Sequence, residues 1–420
     1  MDLSYKIRKV GLLGNEELMF SIFCTGIAWS LIFWPLINSL FCIALAAYWL
    51  LFSQKDFSFS KVRSRWVVLF VSVFVMVIIG TLYSSDLSTA LVQLQRKIAI
   101  LAFPLVFGTS AIISPLIFKR TFTALIWSTF FGCLFCIFNG LFVYFQRGVT
   151  DHLHGYQMIV LKDMPPFILG LCCLLSFVYL LNNVYEANRN GSTLKAADFM
   201  FLAFFLFFSF LLGNRTILFL MSGAILFYTF HLFTKLFQRV IIFGCLILSF
   251  ALAIILNPSL DRQWNDMIDF STQNNIEFDK DETLNRSWGG KTIRLTIWRC
   301  SWDIIKTHWL LGVGTGDVQA ALQQAYENRK FYFASRYNTY NAHNQYIQTT
   351  IAYGLVGLSI FVTAVFAPVF LCYQQKRNTF YLIFLLCFAF VCVTESILEL
   401  NKGIIWYSFF NSLFMFRKFN

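Results

Sequence analysis

The feature that most limits how this chain can fold is a succession of apolar runs, each close to a bilayer's width, separated by short stretches that hold much of its charge. A helix needs about 20 apolar residues to cross the hydrocarbon core of a membrane. On that measure, spans fall near 18–34, 36–52, 66–83, 98–117, 121–145 and 165–182, then near 197–213, 216–233, 239–256, 346–372, 379–396 and 403–416. Trp34-Pro35 marks the break between the first two, because a residue before proline is pushed out of the helical region. Pro104 and Pro115 make 98–117 the least regular of the twelve. Phenylalanine supplies 51 of 420 residues, in runs such as 201–210. A soluble interior of this size cannot bury so many rings, whereas lipid accommodates them. The expected fold is therefore an all-α polytopic membrane protein.

Charge placement sets an orientation. The net charge of +12 lies in clusters between apolar runs, not on one surface interleaved with aromatics, so membrane lipids and no nucleic acid are the expected partners. With the N-terminus cytoplasmic, every connection on that side carries cations: Lys6, Arg8, Lys9; Lys55, Lys61, Arg63, Arg65; Lys119, Arg120; Arg189, Lys195; Lys235, Arg239; Lys376, Arg377; Arg417, Lys418. The opposite short loops hold fewer, namely Arg96, Lys97, Arg147, Lys162, Arg215 and Lys402. This is the positive-inside pattern. It returns the C-terminus to the cytoplasm and puts the long connection at 257–345 outside. Three regions follow: helices one to nine in 1–256, an external loop subdomain in 257–345, and helices ten to twelve in 346–420. No cleavable signal peptide is evident, so the first span is expected to direct insertion.

Ten of the eleven cysteines lie in apolar segments and only Cys300 in the long loop, so no disulfide framework is expected there. Cys133 and Cys136 form a CxxC without a second pair. Within the loop, 257–290 is polar and expected to be irregular. Lys291 to Leu311 reads as an amphipathic helix, with Ile293, Ile297, Trp298, Trp302 and Ile305 on one side and Arg294, Arg299 and Lys306 mostly on the other. Trp298, Trp302 and Trp309 suit a helix resting at the headgroup level. A second helix is expected from Asp317 to Lys330.

The loop ends on Asn341-Ala342-His343-Asn344-Gln345, followed after nine residues by Gly354 and then Gly357. Upstream stand Arg294-x3-Trp298, Gly312-Val313-Gly314 and, at the junction of two spans, Leu212-Gly213-Asn214-Arg215. In order and spacing these motifs resemble the O-antigen ligase and polymerase superfamily, which embraces WaaL-type lipopolysaccharide ligases, Wzy-type polymerases and PglL-type protein O-oligosaccharyltransferases. The resemblance covers about 200–360. It implies a GT-C-like membrane fold and a donor glycan on undecaprenyl diphosphate. It also implies catalytic roles for His343, Arg294 and Arg215.

The chemistry fits those residue types. A departing diphosphate develops charge that arginine stabilises bidentately, and Arg215, Arg294, Arg299, Arg96 and Lys97 are the candidate contacts. On position alone, an arginine at a membrane edge also reads as a snorkelling anchor. Imidazole changes charge near neutral pH and suits a base for an acceptor hydroxyl; His343, one of five histidines, sits at a helix start. Asn344 either orients it or caps the following helix. Gly354 and Gly357, three apart, are read as permitting close helix approach. Glu395 and Glu399 stand one turn apart; carboxylates there call for partners, and Lys402 is available to Glu399. Gly312 to Gly316 has a nucleotide-loop look, but no strand precedes it and no Lys-Ser/Thr follows, so a turn is expected. Asp279-Lys280-Asp281 is read as a solvated charge run, and Asp151, His152 and His154 offer too few ligands for a metal. No metal or cofactor is expected.

The expected activity is transfer of a glycan from undecaprenyl diphosphate to an acceptor hydroxyl at the periplasmic face of the inner membrane. O-antigen ligation onto lipid A-core leads, with polymerisation or protein O-glycosylation as alternatives. A lipid-linked sugar flippase is the competitor from another class. It is disfavoured by the absence of repeated halves with matching broken helices and by the large external loop.

Overall fold

The computed structural model describes residues 3–53, 61–110, 113–232, 237–244, 290–336, 338–374 and 379–417. It is helical, without strands among the described residues. The first helices are α1 (Leu3–Phe33), α2 (Pro35–Leu51), α3 (Lys61–Leu82), α4 (Leu87–Arg96), α5 (Ala99–Thr109) and α6 (Pro115–Arg147). Next come α7 (Pro166–Arg189), α8 (Ala196–Leu212) and α9 (Arg215–Leu232). Beyond them lie α10 (Gly290–Thr307), α11 (Val318–Asn328), α12 (Tyr332–Arg336), α13 (Gln345–Gln374), α14 (Thr379–Thr394) and α15 (Asn401–Phe416). Among the described residues, seven helices are long and apolar enough to span a bilayer, and α2, α8 and α14 are shorter apolar helices. This is a polytopic membrane protein. The expected span at 239–256 lies mostly outside the described residues, as do 257–289 and Asp279-Lys280-Asp281.

The outer surface suits lipid. Leu36, Leu51, Leu82 and Phe145 are each more than 70% exposed, and apolar surface of that kind is not left open to water in a soluble protein. Inside, aromatic rings interlock. Phe122 stacks on Tyr179 at 4.6 Å between ring centroids, with Phe118 at 4.6 Å from Phe122 and Phe380 at 4.8 Å from Phe414. These pairs join α6, α7, α14 and α15, and edge-to-face and offset contacts fix ring orientation as well as burying area. The phenylalanine content therefore divides between lipid and core. The ten described cysteines are free, Cys300 buried among them.

Two spans depart from expectation. The stretch at 98–117 is not one helix. Asp86 caps α4 by accepting from Thr89 N, the amphipathic α4 bends at Lys97 into α5, and α5 stops at Thr109. Pro115 then opens α6 at a position where its missing N–H costs nothing, with Ser114 as cap. Pro104 is tolerated within α5.

The second departure is α13. Gly354 has φ 63° and ψ −162°, a combination open essentially to glycine, and it breaks the helix into 345–353 and 355–374. A Cβ at Gly354 would lie 2.2 Å from the Leu310 carbonyl. The expectation that Gly354 and Gly357 share one packing face is thus corrected: Gly357 meets Met76 of α3, while Gly354 makes the break. The exposed amides around it are taken up by the turn after α10. Leu355 N donates to Trp309 O at 2.8 Å, Val313 N to Ile351 O at 2.9 Å and Gly314 N to Ala352 O at 2.9 Å. On its other side that turn holds α3, with Thr315 N donating to Gly80 O at 3.1 Å and Asp317 accepting from Ser85 N and Asp86 N. Gly312 to Gly316 is a structural turn that docks α10–α12 on the bundle.

Candidate active site

The described part of the long loop packs at one end of the bundle, and there Arg294 and His343 meet at one carboxylate. Of α10, Ile297, Cys300, Ser301 and Ile304 are buried. The packed face is rotated from the one drawn on the sequence, leaving Trp302 and Trp309 more than half exposed. The rotation carries Arg294 inward. Its Nη2 donates to Glu395 Oε1 at 2.9 Å, and the other carboxylate oxygen of Glu395 lies 3.4 Å from His343 Nδ1. One carboxylate thus stands between the expected diphosphate ligand and the expected base.

His343 has φ 45°, uncommon for a residue with a side chain, and tethers from three sides hold it. Its own N–H donates to Asn341 Oδ1 at 2.9 Å. Ala342 N donates to Gln348 Oε1 at 3.0 Å, and Ala342 O accepts from Trp298 Nε1 at 3.0 Å. Asn344 N donates to Ser396 Oγ at 3.1 Å. The strain of a left-handed residue, about 1–3 kcal/mol, is thereby offset, and the imidazole is fixed before any substrate arrives. Asn344 is the cap of α13, accepting from Ile347 N at 3.0 Å. Trp298 supports the histidine through the backbone.

Arg215 opens α9 immediately after Asn214, whose Oδ1 accepts from Ile217 N at 3.2 Å. Its relation to the site shows through Tyr156, in the short connection between α6 and α7. The Tyr156 phenol titrates above its ordinary range because of desolvation first and the nearby Glu395 carboxylate second, while Arg294 and Arg215 pull it back. Tyr156 thus feels the charges of Glu395, Arg294 and Arg215, and its hydroxyl accepts from Nδ2 of Asn214, the residue before Arg215, at 3.5 Å. No sequence signal marks it, since its connection is distant in the chain from all three.

Other expected residues go elsewhere. Arg299 is exposed on α10, five residues and so well over a quarter-turn from Arg294. Lys97 is buried and pairs with Glu399 at 2.8 Å. Lys402 is not the partner of Glu399: its Nζ lies 3.3 Å from both Ile32 O and Met164 Sδ. The helix α14 ends at Thr394, so Glu395 and Glu399 leave it in different directions and serve different clusters. Arg96 and Lys97 line a polar cavity of ≈190 Å³, whose wall includes Asn341 and Gln348. His152 Nδ1 bonds Gln157 O at 3.1 Å, and among the described residues no three His, Cys, Asp or Glu side chains gather.

Residues 200–362 match the family model described as O-antigen ligase. Over these residues the chain is similar to the O-antigen ligase family. The matched region contains Arg215, Arg294 and His343, whereas Glu395, Tyr156, Arg96 and Lys97 come from outside it. Members of that family are glycosyl-transferring enzymes. Among curated proteins, none matches the chain.

Proposed function

We propose that the protein transfers a glycan from undecaprenyl diphosphate to an acceptor hydroxyl at the periplasmic face of the bacterial inner membrane, with lipid A-core as acceptor. The observation that carries this reading is the Arg294–Glu395–His343 cluster. Glu395 holds the Nδ1 side of His343, which leaves Nε2 to accept the acceptor's proton. The acceptor oxygen then bonds to the anomeric carbon, the bond from that carbon to the phosphate oxygen breaks, and undecaprenyl diphosphate departs. Arg294 donates through Nη2 to Glu395 and retains other guanidinium N–H groups for the diphosphate; Arg215 supplies a second cation. Arg96 is a further diphosphate candidate at the rim of the neighbouring cavity. Lys97, tied to Glu399, and Arg299, exposed, have weaker claims from position.

The test is reconstitution of purified protein with lipid-linked glycan and acceptor. His343→Ala should lower turnover by about a hundred- to ten-thousand-fold, the usual range for general-base catalysis. Arg294→Ala and Arg215→Ala should each weaken transfer, with Lys restoring only part because it lacks the planar fork. A chelator should leave turnover unchanged, since side chains carry each step. Near-normal turnover of His343→Ala would overturn the base assignment. Deletion in cells separates the acceptors: loss of all glycan-bearing lipopolysaccharide marks a ligase, survival of single-repeat chains a polymerase, and loss of glycoprotein a protein glycosylation enzyme.

A further inference from the structure

The carboxylate that joins Arg294 to His343 begins a short segment, and a buried ion pair that the proposed mechanism leaves unused ends it. The segment leaves α14 at Glu395, whose N–H still bonds Val391 O at 2.9 Å. It closes in a 3-10 turn at Ile397–Glu399, where Glu399 N donates to Ser396 O at 3.1 Å. Along its length it grips the start of α13. Ser396 Oγ accepts from Asn344 N at 3.1 Å, and Leu398 N donates to Gln345 Oε1 at 2.8 Å. Ser396, Ile397 and Leu398 are buried. The far end is tied to the bend between α4 and α5 by Lys97 Nζ, 2.8 Å from Glu399 Oε1.

These contacts make one line of tethers. Glu399 is bonded to Ser396, Ser396 holds the residue after His343, and Glu395 precedes Ser396 in the chain. A shift of Glu399 is therefore passed on to both members of the His343–Glu395 contact. The side chains of Lys97 and Glu399 are 8% and 15% exposed. Charges so far out of water are tolerated while paired, and become costly once a partner is removed. Both line the polar cavity, so a partner left alone has water to turn toward, and Glu399 doing so would draw the turn with it. Lys97, for its part, spends its charge on Glu399 and has little left for a diphosphate.

We propose that the Lys97–Glu399 pair is a positioning device for the active site, seating the 395–399 segment and through it the pose of Glu395 and His343. Neither side chain touches substrate. The effect on glycan transfer rests on the function proposed above, whereas the coupling of the pair to His343 does not.

The experiment uses full-length protein in nanodiscs, labelled with nitrogen-15 in its five histidines. Magic-angle-spinning NMR identifies the His343 ring signals as those missing from His343→Ala. They should move in Lys97→Met and in Glu399→Ala, because Glu395 shifts against Nδ1. Glu399→Ala leaves the lysine free to hydrate in the cavity, and serves where Lys97→Met folds poorly. In the transfer assay, with rates taken per folded molecule, each variant should lower kcat by roughly 10- to 100-fold, the scale on which a misplacement of about 1 Å acts. The donor KM should change far less. The double variant should be no slower than the slower single, since both substitutions break one tie. His343 signals that stay put in both variants, or a kcat per folded molecule near wild type, would overturn the proposal and reduce the pair to a staple of the fold. A donor KM raised by Lys97→Met and lowered by Glu399→Ala would overturn it in favour of direct contact between Lys97 and the diphosphate. A wild-type protein that transfers nothing, but whose His343 signals move in both variants, would refute the transferase reading and leave the positioning role standing.

Discussion

Replacing Glu395 with glutamine keeps the shape of the side chain and removes the charge that Arg294 and His343 share. Arg294 Nη2 donates at 2.9 Å, and the side chains are 31% and 21% exposed. A charge-assisted hydrogen bond in such a setting is worth about 1.5–3 kcal/mol, somewhat less with solvent screening. The 3.4 Å contact to His343 exceeds the usual N–H···O range and contributes about 1 kcal/mol or less. Glu395 positions the base without touching the reacting atoms, and its contact becomes a charge-assisted one, worth about 1.5–3 kcal/mol, once His343 has taken the proton; Glu395→Gln should therefore lower kcat by roughly 10- to 100-fold, about 1.4–2.7 kcal/mol of barrier. KM for the donor should stay level or fall, because Arg294 is released from its counter-charge. A double-mutant cycle tests the reasoning directly. If Glu395 acts through His343, the double variant Glu395→Gln/His343→Ala should turn over within about threefold of His343→Ala alone, as coupled residues are strongly non-additive. Steady-state transfer of labelled lipid-linked glycan provides the rates. Losses that multiply, or a Glu395→Gln enzyme with more than half of wild-type kcat, would refute the positioning role.

Gly354→Ala should cost more than about 3 kcal/mol, from backbone strain plus overlap with the Leu310 carbonyl, and should lower the thermal midpoint in detergent; an unchanged midpoint would mean that 354 accepts a regular helix. In intact cells, a cysteine at the exposed Arg299 should react with an impermeant maleimide, and one at the exposed Arg189 should not; the reverse labelling would invert the topology. Arg329 holds the Asp303 carboxyl below the ordinary range, chiefly by hydrogen bonding, including a 3.0 Å contact from Nη2. A depressed folded pKa gives stability that is present above the unfolded value of about 3.9 and lost as pH falls through the lower folded value. Hydrogen exchange in α11 should therefore accelerate relative to the intrinsic rate below about pH 4. Arg329→Ala should remove that acid-dependent step, and an equal step in the variant would place its origin elsewhere.

The sequence alone determined that this chain crosses a membrane many times, because a bilayer imposes a length and polarity on each span that hydropathy displays directly. It also singled out His343, Arg294 and Arg215 as candidates, since the motifs that carry the family resemblance are visible without a fold. What it could not supply was pairing. Glu395 and Glu399 look alike on a helix, but the end of α14 at Thr394 sends one to Arg294 and His343 and the other to Lys97. Lys402 was the neighbour along the chain and Lys97 the neighbour in space, 302 residues away. The break at Gly354 was equally hidden, because an apolar run reads as helix until the turn at 309–314 arrives to take up its backbone groups. Tyr156, Gln348 and Ser396 joined the site without a motif. Periodicity and spacing act along the chain and are legible there, whereas the partner of a buried charge or amide is fixed by which elements pack together, and only the tertiary structure decides that.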